Sequence, residues 1–183
     1  MKKYILFVIG LLLLPWASFG ATQGTLGGSS TGSVLITLNI NPAIQISNLT
    51  DININYIVGV SSGNATGFSP ACVYSNATSK NYSIRATSTN ASAGTMRVAS
   101  GSNFIPYTAQ WFTNANATGG TPVSLTNGTA VNITGATANN TSVNCSNGAS
   151  NNASVLVTFL AADLTSAAQG AYTDTLTLLV API

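Results

Sequence analysis

Acid–base chemistry in this chain would have to come from three aspartates and one lysine. Asp51, Asp163 and Asp174 are its carboxylates; glutamate and histidine are absent from the 183 residues. Lys80 is the lysine that lies beyond the first three residues. A carboxylate dyad would need two of the aspartates side by side, so that one holds a proton at neutral pH. A nucleophilic serine would need Lys80 within hydrogen-bond reach as its base. The settings point elsewhere. Asp51 sits in a turn signal, Asp163 follows a strand end, and Lys80 in "TSKNYS" reads as the solvated tip of a hairpin. These are ordinary structural places for such residues, and the pattern argues against an enzyme. The two cysteines lack CxxC spacing, so no metal ligand set is visible, and no cofactor is implied.

Charge excludes further classes. Past residue 20, Lys80, Arg85 and Arg97 balance the three aspartates. A nucleic-acid partner would need a basic patch, and the chain has none. Polarity comes instead from Asn, Ser and Thr. About a dozen Asn-x-Ser/Thr triplets occur, Asn48-Leu49-Thr50 and Asn116-Ala117-Thr118 among them. In a chain of this composition they read as a by-product rather than as glycan acceptors. Trp111-Phe112 is the best candidate for stacking on a sugar. Its period-two neighbour Tyr107 places Trp111 in the core instead.

The first twenty residues read as an export signal. Lys2 and Lys3 precede the apolar run "YILFVIGLLLL", Pro15 breaks it, and Ser18 and Gly20 supply small residues for cleavage after Gly20. The run is short for a span of about 20 residues. The opening suits a bacterial protein exported through the inner membrane to the periplasm. In that compartment Cys72 and Cys145 are expected to form a disulfide. Closing so long a loop contributes about 4 kcal/mol in the chain-entropy model.

The elements that must position these residues are strands. "GSVLITLNIN" alternates Val34, Ile36, Leu38 and Ile40 with Leu35, Thr37 and Asn39. Pro42 then interrupts, because it has no N–H for a ladder. Ile44 and Ile46 resume the alternation, and Ile52, Ile54 and Tyr56 predict another strand. Tyr82, Ile84 and Ala86 share one face of a strand, as do Tyr107, Ala109 and Trp111. Asn127-Gly128 predicts a hairpin between "VSL" and "VNI". "ASVLVTFLA" reads as a central strand and "DLTSAAQG" as a short turn. The chain closes on an alternating strand from Tyr172 to Val180. Roughly nine to eleven short strands without a long helical period argue for an all-β antiparallel sandwich or barrel. The organisation expected is a signal at 1–20, an extension carrying the opening strand at 21–41, and a β-sandwich domain at 42–183.

Two stretches carry a family likeness. "GSVLITLNINPAIQISNL" resembles the N-terminus of chaperone–usher pilins, notably subunits of the alternate-chaperone pathway. "QGAYTDTLTLLV" is similar to the last strand of the archaic, spore coat protein U-like pilins, where Gly170, Tyr172 and Asp174 lead into Leu176, Leu178 and Val180. "CVYSNATSKNYSI" is similar to that domain's Cys-to-Tyr strand pair. The first cysteine falls later than is usual there, and residues 181–183 run past the alternating strand.

The resemblance implies an immunoglobulin-like sandwich lacking one strand. A periplasmic chaperone would supply that strand, and the next subunit's N-terminal strand would replace it at an outer-membrane usher. Val34, Ile36, Leu38 and Ile40 would then fill a groove bordered by Tyr172, Leu176, Leu178 and Val180 of an identical or related subunit, building a cell-surface fimbria for adhesion or biofilm. The alternative is a self-complete secreted sandwich that binds a ligand, such as a glycan, with the opening strand folded into its own sheet. The sequence does not choose between a donated and a self-paired strand.

Overall fold

The computed structural model describes residues 20–119, 121–135, 137–146 and 150–183. Most of the expected export signal, residues 1–19, lies outside them. The chain divides into two units, Met1–Ile40 and Asn41–Ile183. In the first, Thr22 and Ser33 form an isolated antiparallel bridge with N–H···O distances of 2.9 and 3.0 Å. The opening alternation was expected to be a strand. Among the described residues, positions 34–40 join no ladder.

Among the described residues the second unit is nearly all antiparallel β-sheet, in nine strands and one helical turn. The strands are β1 (Ile44–Ser47), β2 (Ala65–Ser75), β3 (Tyr82–Ser88), β4 (Met96–Ser100), β5 (Asn103–Phe112), β6 (Val123–Leu125), β7 (Ala130–Ile133), β8 (Ala153–Phe159) and β9 (Leu176–Pro182), with α1 (Ala161–Thr165) after β8. One sheet runs β1-β2-β8-β5-β4, with β6 also on β5; the other runs β7-β3-β9. The nearly continuous apolar run of β8 is central as expected, paired with β2 on one edge and β5 on the other.

Period-two alternation assigns the core. Tyr82, Ile84 and Ala86 of β3 face Tyr107, Ala109 and Trp111 of β5, all buried. Trp111 is fully enclosed, which removes it from any surface role. Its Nε1 donates to the Tyr82 hydroxyl at 2.9 Å, tying the two sheets through the core. Burial raises the Tyr82 hydroxyl above its ordinary pKa, so it remains a protonated, acceptor-competent partner. Pro106 lies on the part of β5 that β8 does not reach, where its missing N–H costs no bond on that edge.

Asparagines do the polar work that charges do elsewhere. The Asn152 side chain accepts from the Val73 N–H at 2.8 Å and donates to the Val73 carbonyl at 2.9 Å. It thereby stands in for a strand neighbour, satisfying main-chain groups that would be costly to bury alone. Cys72 and Cys145 are joined, with Cα atoms 5.8 Å apart.

Two local expectations are corrected. Asn127-Gly128 does turn, with Gly128 at φ 75°, but β6 and β7 enter different sheets. The Asn127 Oδ1 accepts from the Ser88 N–H and the Gly128 N–H donates to the Ala86 carbonyl, so β3 captures the turn as a corner. Lys80 likewise sits on a crossing from β2 to β3 between sheets, not on a hairpin tip. "DLTSAAQG" does hold a short turn, which begins within α1, and Leu164 seats that helix on Ala65 and Ile105.

The three tryptic positions beyond residue 20 can be ranked by pairing. Arg85 is laddered on both sides, to Ala130 and to Leu179. Arg97 pairs with Pro106, and its guanidinium lies 4.1 Å from the Phe104 ring centroid. Lys80 is in a turn, at φ 52°. Native protein treated with trypsin should therefore resist cutting at Arg85 and Arg97, and any nick should fall at Lys80. Peptide mass mapping reads this; early cleavage at Arg85 would contradict the paired β3.

Candidate functional site: an open sheet edge

The site is built from two strands that, among the described residues, each lack a neighbour on one side. β9 pairs with β3 in an unbroken register from Tyr82↔Pro182 to Ser88↔Leu176. Just beyond the ladder, the Thr89 N–H donates to the Thr175 carbonyl at 3.1 Å and the Ile183 N–H to the Asn81 carbonyl at 3.4 Å. In an antiparallel pair, hydrogen-bonded residues alternate with residues whose main-chain groups point the other way. Odd-numbered residues of β9 therefore bond β3. Leu176, Leu178 and Val180 turn their N–H and C=O groups to the far edge, where no strand pairs among the described residues. Their side chains are half-buried against the core, while Thr177, Leu179 and Ala181 face outward.

β1 repeats the arrangement. The Asn76 N–H donates to the Ala43 carbonyl at 3.2 Å, and the register with β2 is Ile44↔Ser75 to Ser47↔Cys72. Odd residues again bond the neighbour. Ile44 and Ile46 offer main-chain groups to the free side, with side chains half-buried on the same core. β1 and β9 lie side by side without a ladder, their Cα atoms approaching within 8 Å. Two strand spacings come to about 9.5 Å, so seating a strand between them requires the edges to part.

The run after β1 extends this edge. Ile52, Ile54 and Tyr56 were expected to form a strand; they form no ladder, although their burial still alternates with exposed Asn53, Asn55 and Ile57. Gly67 of β2 explains the path. A Cβ there would lie 2.5 Å from Ile52 and 3.1 Å from Ile54. The missing side chain lets the run settle onto β2, held by Thr50 N–H to Ser69 Oγ at 2.8 Å. Sequence reading identified these alternations but not their common role. Period-two runs with no partner strand were the available signal.

Tyr172 was expected in the last strand. It lies before it, because Thr173 bridges to Ala99 of the other sheet at 2.9 Å in both directions. The Tyr172 hydroxyl donates to the Ala168 carbonyl at 2.9 Å, and the ring packs against Ile105 and Leu164. Asp174 then anchors the entry to β9, a role its sequence setting did not reveal. Its Oδ2 accepts from the Tyr107 hydroxyl at 2.6 Å, and its Oδ1 accepts from the Asn90 N–H and Nδ2, each at 3.1 Å. Arg97 Nε donates to the Asn90 carbonyl at 3.0 Å. Burial, and then the carboxylate beside it, push the Tyr107 hydroxyl above the ordinary phenol range, so it stays a donor.

The expected donor residues are exposed. Val34, Ile36, Leu38 and Ile40 expose 71%, 84%, 81% and 80% of their surface. The lysine and the aspartates are dispersed: Lys80 in a turn, Asp51 between β1 and the run at 52–56, Asp163 in α1 and Asp174 at the head of β9. A shallow depression of about 180 Å³ is lined by Phe104, Pro106, Asp163 and Tyr172. It falls below the roughly 300–1,000 Å³ of small-molecule pockets.

No family model matches the chain, and no characterised protein matches it in sequence. Among solved structures, it is similar to a chain of the chaperone–tip adhesin complex of CFA/I fimbriae. The TM-score is 0.53 at 19% identity, over 76% of this chain and 41% of that one. The chain thus spans less than half of that protein. At this identity the likeness is one of fold, an all-β sandwich.

The Asp174 anchor yields a test. Asp174→Ala leaves the Tyr107 hydroxyl and two Asn90 donors without their acceptor, so stability should fall by about 1–3 kcal/mol. Tyr107→Phe should cost less, about 0.5–1.5 kcal/mol. Urea unfolding measures both; midpoints unchanged in both variants would contradict the anchor.

Proposed function

We propose that this protein is a structural subunit of a surface fimbria, joined to its neighbours by strand donation. The observation that carries the reading is a match within one chain. An alternating apolar segment has no ladder of its own, and a sandwich edge presents unpaired main-chain groups beside half-buried apolar side chains. Added strands gain affinity from main-chain hydrogen bonds and specificity from alternate side chains in a groove. Fully burying Val34, Ile36, Leu38 and Ile40 contributes on the order of 6–12 kcal/mol before ordering costs. Left exposed, the same edge and segment are an aggregation hazard. A periplasmic chaperone that covers the edge, and an usher that exchanges it for the next subunit, would answer that hazard. The role is architectural rather than catalytic. The fold likeness to a fimbrial chaperone–adhesin chain supports the reading.

Deleting residues 22–40 should give a chain that accepts a strand but cannot donate one. It should remain monomeric and bind a synthetic peptide of residues 32–41, with a raised melting temperature. The peptide carrying Leu38→Arg should bind at least tenfold more weakly, since a charge would enter an apolar groove unpaired. Multimers of the deletion variant, or indifference to the peptide, would count against donation.

A further inference from the structure

The two edges also say how the bodies of neighbouring copies would meet, an inference that rests on the strand-donation reading. β9 carries one large apolar residue on its outer face, Leu179, between Thr177 and Ala181. Residues 33–40 carry one on the face opposite Val34, Ile36 and Leu38, namely Leu35. An antiparallel register with Leu35 opposite Leu179 matches the two position by position. Outward, Ser33 meets Ala181 and Thr37 meets Thr177. Inward, Val34 meets Val180, Ile36 meets Leu178 and Leu38 meets Leu176. Directly opposed pairs of this kind are what stabilise one register over another. Ile40 then stands level with Asp174.

A chain cannot make this pairing with itself. Ala43 is bonded to Asn76, at the start of the turn that leads from β2 into β3. Ile183 is bonded to Ser79 and Asn81 of the same turn. Ala43 and the end of β9 therefore share one end of the sandwich. Asp174 is at the other, eight residues down β9, or about 26 Å at roughly 3.3 Å per residue. From Ile40 to Ala43 the chain reaches at most about 11 Å. Folded back on its own edge, the segment would have to run parallel to β9; with Ile40 level with Pro182, Leu35 would lie beside Thr177.

Between copies the same short connector has a consequence. The donor's body must begin within three residues of the acceptor's Asp174 end. That end carries an apolar loop. Ile57, Val58 and Val60 are 61%, 56% and 78% exposed. The loop is nevertheless built: the Val60 and Ser61 N–H groups donate to the Ile57 carbonyl at 3.0 and 2.7 Å, and the Ile57 N–H donates to Ser61 Oγ at 3.0 Å. Its position follows from the run over Gly67, which continues past Ala65, where Tyr56 packs with Tyr172 on one cluster.

We infer that the loop at residues 57–60 is a second docking surface, occupied by the Pro42 and residue 76–79 end of the donating copy, whose strand lies antiparallel on β9 with Leu35 opposite Leu179. The copies then stack end to end, held by the strand and by this cap.

Two full-length variants, Leu35→Cys and Leu179→Cys, mixed during assembly and oxidised, should give a crosslinked pair containing one of each. Val60→Asp in the accepting copy should weaken full-chain donation about tenfold, yet leave binding of the 32–41 peptide unchanged, because the peptide brings no body. Multimers without the 35–179 crosslink would overturn the register. Equal effects of Val60→Asp on chain and peptide, or no effect on either, would overturn the loop contact. An intramolecular crosslink in monomeric Leu35→Cys/Thr177→Cys protein would overturn both, and so would a failure of the full-length chain to multimerise. These last two results strike the strand-donation reading itself; the others leave it standing.

Discussion

An antiparallel strand bonds its neighbour through every second residue, and everything distinctive about this molecule follows from which residues are left over. In β9 the residues turned away from β3 are Leu176, Leu178 and Val180, and their side chains are the ones that face the core. Unsatisfied main-chain groups and incompletely covered apolar side chains therefore lie on one edge. β1 does the same with Ile44 and Ile46. A lone edge of either kind would be common; water can serve free main-chain groups. The two lie side by side and present the same pattern, apolar inward at every second position.

The rest of the domain keeps that edge in place without closing it. The Trp111–Tyr82 hydrogen bond ties the two sheets from inside, and the Cys72–Cys145 link ties the segment before β8 to β2. Asp174 ties the head of β9 to Tyr107 and Asn90, so a strand with a neighbour on one side only still has a fixed start. Ile52 and Ile54 lie on Gly67, and residues 50–57 form no ladder among the described residues. Few charges are involved in any of this. Asparagine side chains meet main-chain groups directly, as Asn152 does at Val73.

Much of this was legible in the sequence, because burial alternation is written residue by residue. The inward faces of β3, β5 and β9, the central place of β8 and the pairing of the two cysteines all follow from residue type and spacing. What the sequence could not convey is which sheet a strand joins. Asn127-Gly128 has the chemistry of a hairpin turn, yet Ser88 and Ala86 bind it and send β7 to the opposite sheet. Ile52, Ile54 and Tyr56 alternate like a strand but pair with no strand among the described residues, and alternation reports a face, not a ladder. Tyr172 looks continuous with β9 until the bridge from Thr173 to Ala99 turns it aside. The Asp174 anchor depends on Tyr107, 67 residues away, and no local pattern encodes that.

The central claim is that the far edge of β9 is open in the single chain and filled in the assembly. Residue-resolved amide hydrogen exchange reads that edge directly. In the monomer, the amides of Thr177, Leu179 and Ala181 should be protected by β3, while those of Leu176, Leu178 and Val180 exchange quickly. In assembled material the second set should become protected as well. Slow exchange at Leu176, Leu178 and Val180 in the lone chain, or fast exchange there in the fibre, would contradict the account.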